Sequence, residues 1–170
     1  MIVRNNHITT LAELGSLRRR FPGRSIVLGT GCFDLLHPGH LHFLQEASHQ
    51  GEVLVIGLNS DTSVRAIKGA GRPILRQEER AALVAALRCV DLAFIFDDTA
   101  ADEGILTLSP DVFVIGEESV KDYPSELSSA ASVGARVHVV MRVPGTSTTS
   151  IVASVDQHPT CVRPAKDRAI

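Results

Sequence analysis

The stretch that decides the fold is Leu28-Gly29-Thr30-Gly31-Cys32-Phe33-Asp34-Leu35-Leu36-His37-Pro38-Gly39-His40. The apolar run over residues 25–30 is typical of a buried strand, and it leads into a glycine-rich turn. A helical pattern follows over residues 40–49. Such a turn lets the backbone approach an anion closely, and a helix N-terminus offers unpaired N–H groups and the positive end of the helix dipole. The stretch therefore predicts a strand–turn–helix unit that binds phosphate.

Two histidines at the start of this helix indicate the chemistry. His37 and His40 can donate hydrogen bonds to oxygens that gain charge when the α-phosphate of a nucleotide is attacked. The pattern favours nucleotidyl transfer. A zinc site is the alternative, because Cys32 and His42 are close in sequence. A structural zinc site would need a second closely spaced pair of ligands, and the other two cysteines lack that spacing.

Strand-like and helical patterns alternate along the rest of the chain. Strands are predicted over residues 25–30, 53–59, 92–96, 112–115 and 137–141. Helices are predicted over residues 9–21, 40–49, 77–87, 100–108 and 125–132, with a last helix starting near Ser147. The strands are apolar on both faces, as a buried parallel sheet requires. The order predicts one α/β domain with a Rossmann-like, doubly wound, parallel five-stranded sheet.

Length and composition limit the class of protein. The 170 residues suffice for one domain, with 44% hydrophobic residues and a net charge of −2. The expected domain covers residues 1–155, and we expect the tail at 156–170 to be mobile or draped over the surface. There is no basic excess, membrane-length apolar run or visible signal peptide. Three scattered cysteines fit a reducing compartment. We therefore expect a cytoplasmic protein that binds neither nucleic acid nor a membrane.

A second motif lies near the other end of the chain, at Arg142-Val143-Pro144-Gly145-Thr146-Ser147-Thr148-Thr149. Small hydroxyl residues after a glycine can cap a helix and can also bind β- and γ-phosphate oxygens. Taken alone, such a run indicates only a helix cap. Together with the two histidines, it predicts a triphosphate site formed by both ends of the chain.

Over residues 8–155 these motifs resemble the HxGH nucleotidylyltransferase superfamily. Within it, Arg88-Cys89-Val90-Asp91 and the motif at 142–149 resemble the cytidylyltransferases of the glycerol-3-phosphate type, with Thr146 in place of an isoleucine. Residues 59–74 and the leading helix resemble the adenylyltransferases that make ADP-heptose. The resemblance implies transfer of a nucleotidyl group to an acceptor that carries an anionic phosphate or phosphonate oxygen, with release of pyrophosphate.

The motifs and the resemblance together predict the site residues. The predicted catalytic residues are His37, His40, Lys68 and Arg142. The predicted nucleotide-binding residues are Gly31, Cys32, Phe33, Asp34, Gly39, Asp61, Arg80, Gly116, Gly145, Thr146, Ser147, Thr148 and Thr149. No side chain is predicted to bind a metal directly. Mg²⁺ is expected as a cofactor held mainly by the nucleotide phosphates and water.

Three of these residues have a structural alternative. Asp61 could form a helix cap or an Asx turn instead of meeting a ligand at the end of the second strand. Lys68 could belong to a basic surface loop, instead of a mobile loop that closes over the triphosphate. Arg80 could lie on a solvated helix face with neighbouring glutamates, instead of reaching the nucleotide or a partner subunit.

The expected substrates are CTP and a small acceptor with a phosphate or phosphonate group. CTP is preferred because Arg88 and Arg142 match the cytidylyltransferase pattern. ATP with a sugar phosphate is the alternative, and a nucleotide-binding regulator without turnover is a remote one. A homodimer is also expected, with Arg88 and Asp91 near its two-fold axis and the apolar segment 92–96 beside them. Arg88 could instead interact only with the C-terminal end of a helix dipole.

Overall fold

The computed structural model describes residues 7–157 and contains a five-stranded sheet with helices on both faces. The strands are β1 (Ile26–Gly31), β2 (Val53–Asn59), β3 (Leu92–Phe96), β4 (Val112–Gly116) and β5 (Arg136–Val140). Their order is β3-β2-β1-β4-β5, and each neighbouring pair is parallel. The predicted doubly wound, Rossmann-like sheet is confirmed. Residues 1–6 and 158–170, which include most of the expected tail, lie outside the described residues.

Eight α-helices connect or flank the strands in the described part of the chain. They are α1 (Leu11–Leu14), α2 (Leu17–Arg20), α3 (Pro38–Ser48), α4 (Asp61–Lys68), α5 (Gln77–Ala85), α6 (Asp102–Leu108), α7 (Pro124–Ser132) and α8 (Thr148–Asp156). A single 3₁₀ turn covers Glu117–Ser119. Each helix over residues 7–157 is too short or too polar to span a lipid bilayer.

The sheet separates two hydrophobic cores, because successive side chains of a strand point to opposite faces. Ile26 and Leu28 of β1 pack with α1, α2, α6 and α7 on one face. Val27, between them, packs with α3 and α5 on the other face. Both faces of the central strands are therefore buried, which explains why the strand sequences are apolar throughout.

The predicted leading helix over residues 9–21 is wrong in one respect, because the structure divides it into α1 and α2. Gly15 has a low helix propensity. The Ser16 hydroxyl donates a hydrogen bond to the Glu13 carbonyl at 2.8 Å, which competes with continued helical bonding. Leu14 and Leu17, on either side of the break, are both fully buried. The short helices therefore still anchor this segment to the sheet.

Helix α4 is an element that the sequence analysis missed. Its N-cap is Ser60, whose side-chain oxygen accepts the Ser63 N–H at 3.2 Å. The helix continues to Lys68, so the expectation that Lys68 lies in a mobile loop is wrong. The connecting loop starts at Gly69, where φ is +92°. The surrounding glycines and charges obscured this short helix in the sequence.

Candidate active site at the carboxyl edge of the sheet

A cleft of about 890 Å³ opens at the carboxyl ends of the strands. Each strand contributes a residue from its end to the wall, namely Gly31, Asn59, Phe96, Gly116 and Val140. Connections from neighbouring strands diverge at this edge toward the two helical layers. Open parallel sheets bind their ligands in this position. The cleft is therefore the candidate active site.

Most of the predicted site residues line this cleft. They are Gly31, Cys32, Phe33, His37, Gly39, His40, Lys68, Gly116, Arg142, Thr146, Ser147, Thr148 and Thr149. The structure thus brings together the two motifs that are more than one hundred residues apart in the sequence. Asp34, Asp61, Arg80 and Gly145 do not line the cleft.

Gly39 shows how tightly the two motifs pack. A Cβ atom at Gly39 would lie 2.5 Å from the Thr146 hydroxyl and 3.0 Å from the His37 ring. Only glycine leaves room for this approach. Gly145 has φ of +74°, which glycine adopts without strain, and it turns the chain toward α8. The starts of α3 and α8 are therefore neighbours at the same cleft.

His37 is the N-cap of α3, and its ring orientation is defined by the backbone. Its Nδ1 accepts hydrogen bonds from the N–H groups of Gly39 at 3.1 Å and His40 at 3.4 Å. In the neutral ring, an Nδ1 that accepts leaves the proton on Nε2. Burial, together with the charges of Lys68 and Arg142, lowers the pKa of His37. His37 is therefore a neutral donor through Nε2 at physiological pH.

His40 stacks on His37, with ring centroids 3.8 Å apart and an angle of 23° between the ring planes. Burial, together with the charges of His37 and Lys68, lowers the pKa of His40 to about 3. Its Nδ1 is buried without a hydrogen-bond partner among the described residues. A buried N–H without a partner is rarer than a buried acceptor without one. This arrangement favours the proton on Nε2 in His40 as well.

Positive charge on the cleft wall comes from Lys68, Arg72 and Arg142. Lys68 ends α4, whereas Arg142 follows β5. Arg142 lies 3.3 Å from Glu118, and both side chains are more than half exposed. Such exposed pairs contribute little stability. Arg142 can therefore exchange Glu118 for a phosphate oxygen at low cost.

Asp34 has a structural position behind the cleft wall and is 1% exposed. Its carboxylate accepts hydrogen bonds from the N–H groups of Ile74 at 3.0 Å and Leu75 at 3.1 Å, and it pairs with Arg72 at 3.1 Å. Burial opposes ionisation, but these contacts hold the pKa of Asp34 below its usual value. The Asp34 carbonyl accepts the Thr148 hydroxyl at 2.5 Å. Asp34 thus connects the loop after α4 to the start of α8.

Arg80 is fully buried beneath the cleft. Its guanidinium donates to the carbonyls of Cys32, Leu75 at 3.1 Å and Asn59 at 2.8 Å, and to the Asp61 carboxylate at 2.9 Å. The structure therefore places neither Arg80 on a solvated face nor Asp61 at the cleft wall. Five N–H donors suit this position, because the turn after β1 and the end of β2 both present unpaired carbonyls. Arg80 holds these two connections together.

The opposite side of the cleft carries acidic groups that the sequence analysis did not select. Glu126, near the start of α7, is 4% exposed and lines the cleft. Its Oε1 accepts the Ala101 N–H at 2.7 Å. Burial, together with the negative charge of Asp102, raises the pKa of Glu126 to about 7. Only its position as an acid at the third residue of a helix, after Tyr123-Pro124, distinguished it in the sequence.

The zinc alternative has no support in the structure. Among residues 7–157, no three His, Cys, Asp or Glu side chains lie close enough to hold a metal ion. The Cys32 thiol donates a hydrogen bond to the Asn59 side-chain oxygen at 3.6 Å. Burial raises the pKa of Cys32, so it remains a thiol.

The apolar segment 92–96, which was expected beside a dimer interface, is largely buried within the subunit. It forms β3, and four of its five side chains are buried inside the subunit. The Asp91 carboxylate accepts the Leu54 N–H at 2.8 Å, whereas Arg88 is exposed. Of the features that suggested a dimer, Arg88 and Asp91 are both exposed on the surface.

Two helix starts, one with the paired histidines and one with the run of hydroxyl residues, meet at the carboxyl edge of the parallel sheet, an arrangement that agrees with a nucleotidylyltransferase. A model of the cytidylyltransferase-like family matches residues 28–157, and the chain belongs to this family. The resemblance to the HxGH nucleotidylyltransferases is confirmed.

Similar proteins agree with this assignment. The bifunctional protein HldE of Syntrophotalea carbinolica is 43% identical over 138 residues, which are 81% of this chain and 28% of that protein. HldE of Geotalea uraniireducens is 45% identical over 133 residues, which are 78% of this chain and 27% of that protein. The chain thus spans less than a third of the length of these relatives.

A solved structure shows the same relationship. The lipopolysaccharide core biosynthesis protein from Thermoplasma volcanium GSS1 has a TM-score of 0.60 and 30% sequence identity to this chain. The similarity covers 71% of this chain and 98% of that chain. The common region is therefore the nucleotidylyltransferase fold itself.

Proposed function

We propose that this protein transfers AMP from ATP to a sugar phosphate and releases pyrophosphate. The observation that carries the transfer reaction is the contact between Gly39 and Thr146, which joins the two phosphate-binding helix starts in one cleft. ATP and a sugar phosphate are supported by the similarity to HldE proteins, whose matching region resembles the adenylyltransferases that make ADP-heptose.

The preference for CTP is therefore replaced by its alternative. That preference depended on Arg88 and Arg142. Arg142 lines the cleft, but Arg88 does not. One of the two residues is thus remote from the nucleotide. The resemblance of residues 59–74 to adenylyltransferases concerns α4 and the following loop, which supply Lys68 and Arg72 to the cleft.

The reaction needs neither a general base nor a covalent enzyme intermediate. An anionic phosphate oxygen of the acceptor attacks the α-phosphorus of ATP, and a new P–O bond forms. The bond from the α-phosphorus to the bridging oxygen breaks, and its electrons leave with pyrophosphate. Catalysis consists of positioning the groups in line and stabilising the developing charge.

The cleft residues divide this work. His37 and His40, as neutral donors, bind oxygens at the α-phosphate. The Thr148 hydroxyl is bonded to the Asp34 carbonyl and the Ser147 hydroxyl caps α8, so the amide groups of Thr148 and Thr149 and the Thr149 hydroxyl bind the leaving pyrophosphate. Lys68, Arg72 and Arg142 balance its charge. The histidine and backbone donors are in place before the reaction, so they need little reorganisation in the transition state.

Mg²⁺ remains part of the proposal as a cofactor that binds with ATP. Among the described residues no three His, Cys, Asp or Glu side chains lie close enough to hold a metal ion, so the Mg²⁺ would be held by phosphate oxygens and water. When bound, Mg²⁺ would neutralise phosphate charge. The protein side chains would contact the same phosphates directly.

Pyrophosphate release from ATP or CTP tests the proposed function. Each nucleotide is supplied with Mg²⁺ and one acceptor from a panel of sugar 1-phosphates, glycerol 3-phosphate and phosphoethanolamine. We expect turnover with ATP and a sugar 1-phosphate, and calorimetric binding of ATP in preference to CTP. Turnover with CTP alone would contradict the nucleotide, and turnover only with a non-sugar acceptor would contradict the acceptor class.

A further inference from the structure

Glu126 has one carboxylate oxygen without a partner. The side chain is 4% exposed and lines the cleft. Its Oε1 accepts the Ala101 N–H at 2.7 Å, and no described residue donates a hydrogen bond to its Oε2. Oε2 is also absent from the fully buried polar atoms without partners, so it is accessible from the cleft. The free oxygen therefore faces space that a substrate can occupy.

A purely structural role explains only one of the two carboxylate oxygens of Glu126. Ala101 is the N-cap of α6 and has no side-chain cap of its own. Glu126 supplies the missing acceptor from α7, and one oxygen suffices for that. A buried oxygen without a hydrogen bond carries a desolvation cost, and Asp102 adds repulsion. A glutamine would cap α6 equally well without the charge. The second oxygen thus requires a different explanation.

The surroundings of Glu126 are suited to a hydrogen-bond donor without negative charge. The nearby wall contains Phe96, Thr99, Asp122 and Tyr123. The cations of the cleft lie on α4, on the loop after it and on the segment after β5. Glu118 lies among these cations, 3.3 Å from Arg142, whereas the wall beside Glu126 carries Asp122 and no lysine or arginine among the cleft residues. A substrate would place its phosphates beside the cations and its hydroxyl groups beside Glu126.

The direction of attack places the acceptor on the side of the cleft where Glu126 lies. In-line displacement puts the attacking and leaving oxygens on opposite sides of the α-phosphorus. The pyrophosphate site at the start of α8 follows β5, at one edge of the sheet. Ala101, the partner of Glu126, follows β3 at the opposite edge. The acceptor therefore approaches from the side on which Glu126 lies.

We propose that the free oxygen of Glu126 accepts a hydrogen bond from a hydroxyl group of the acceptor sugar and so selects polyhydroxylated acceptors. This inference rests on the proposed function, because it assumes that the second substrate is a sugar phosphate. Recognition by a buried acceptor is selective, since an analogue without the hydroxyl leaves the carboxylate oxygen unpaired.

The test compares wild type with Glu126→Gln, using a sugar 1-phosphate and its monodeoxy analogues. Glutamine can keep its carbonyl on the Ala101 N–H while it replaces the free acceptor oxygen with an NH₂ donor. In the wild type, loss of the recognised hydroxyl should lower kcat/KM by about 10- to 100-fold. In Glu126→Gln the same deoxy analogue and the parent sugar should differ by less than about 3-fold. The KM for ATP should not change.

Ser129→Ala is the matched control. It removes the other hydrogen bond between α6 and α7, from the Ser129 hydroxyl to Asp102 at 2.6 Å, and it does not line the cleft. This variant should retain the wild-type preference for the hydroxyl.

Three results would overturn the inference. In the first, wild type and Glu126→Gln discriminate equally among the deoxy analogues. In the second, Glu126→Gln changes only the binding of ATP. In the third, Ser129→Ala also loses the discrimination. The last result would show that helix packing, and not the free oxygen, determines selectivity. Failure of the proposed function would be distinguishable from failure of this inference, because the wild type would then release no pyrophosphate with any sugar phosphate.

Discussion

At the residue scale, the two histidines of the cleft act as neutral groups. Burial keeps both rings uncharged. The backbone N–H groups that donate hydrogen bonds to His37 Nδ1 determine the tautomer of this ring. Positive charge is supplied separately by Lys68, Arg72 and Arg142. In the proposed reaction, this division would let the imidazoles act as fixed donors to phosphate oxygens, while the longer cationic side chains would adapt to the position of the phosphate chain.

Replacing either histidine should affect chemistry more than folding. We expect His40→Ala and His37→Asn to lower kcat by about 10²–10³-fold, because each removes one donor to the transition state. Asparagine at His37 retains a side-chain acceptor for the N-cap. His42→Ala, on the same helix but outside the cleft, is the control and should retain activity. Steady-state kinetics with circular dichroism would show this, and near wild-type kcat in both variants would contradict the mechanism.

Glu126 should make the fold less stable as pH rises. Its pKa is about 7 in the folded protein and near 4.5 in the unfolded chain. Between these values the unfolded chain releases the proton first, so stability falls as pH rises through this window. We expect Glu126→Gln to match wild type below pH 4.5 and to be more stable above pH 7, by up to about 3 kcal/mol. Urea unfolding at several pH values measures this difference, and a constant difference across the range would contradict it.

At the element scale, the site depends on connections that buried polar groups hold in place. Arg80 of α5 joins the turn after β1 to the end of β2, and Asp34 joins the loop after α4 to α8. Neither side chain lines the cleft. Each side chain instead holds backbone segments whose neighbouring residues line the cleft. The positions of Lys68 and of the α8 hydroxyls therefore depend on polar contacts behind the wall.

Loss of Arg80 should destabilise the protein strongly. Arg80→Met leaves three carbonyls and the Asp61 carboxylate without their donor, which should cost about 3–5 kcal/mol. Arg76→Met is the matched control on the same helix start, where the arginine is exposed and pairs only with Glu79. That change should cost less than about 1 kcal/mol. Denaturant unfolding of both variants would decide, and equal stability would contradict the role of Arg80.

At the scale of the whole molecule, both cores and the cleft lie within one parallel sheet. Strands β1 and β4 are neighbours in the sheet. The connection after β1 leads to α3 on one face of the sheet, and the connection after β4 leads to α7 on the other face. The cations of the cleft and Glu126 come from different elements along one edge of the sheet.

A homodimer remains a prediction at this scale. Arg88 is exposed at the end of α5, where it is free to meet a second subunit. We expect sedimentation at micromolar concentration to show a dimer and Arg88→Glu to weaken it. Arg65→Glu, which reverses an exposed arginine on α4, should leave association unchanged. A monomeric wild type would remove the interface interpretation of residues 88–91.

The sequence by itself determined the strands, most helices and both phosphate-binding motifs, because these depend on local patterns. Apolar runs specify buried strands, and a glycine or hydroxyl run beside a helical pattern marks a helix start. The tertiary structure alone decided where the polar side chains point. Asp34, Asp61 and Arg80 turn inward because distant carbonyls and N–H groups need partners there. Glu126 reaches the cleft because α6, a separate element, presents an uncapped N-terminus to it. Such long-range pairing leaves no periodic trace in the sequence.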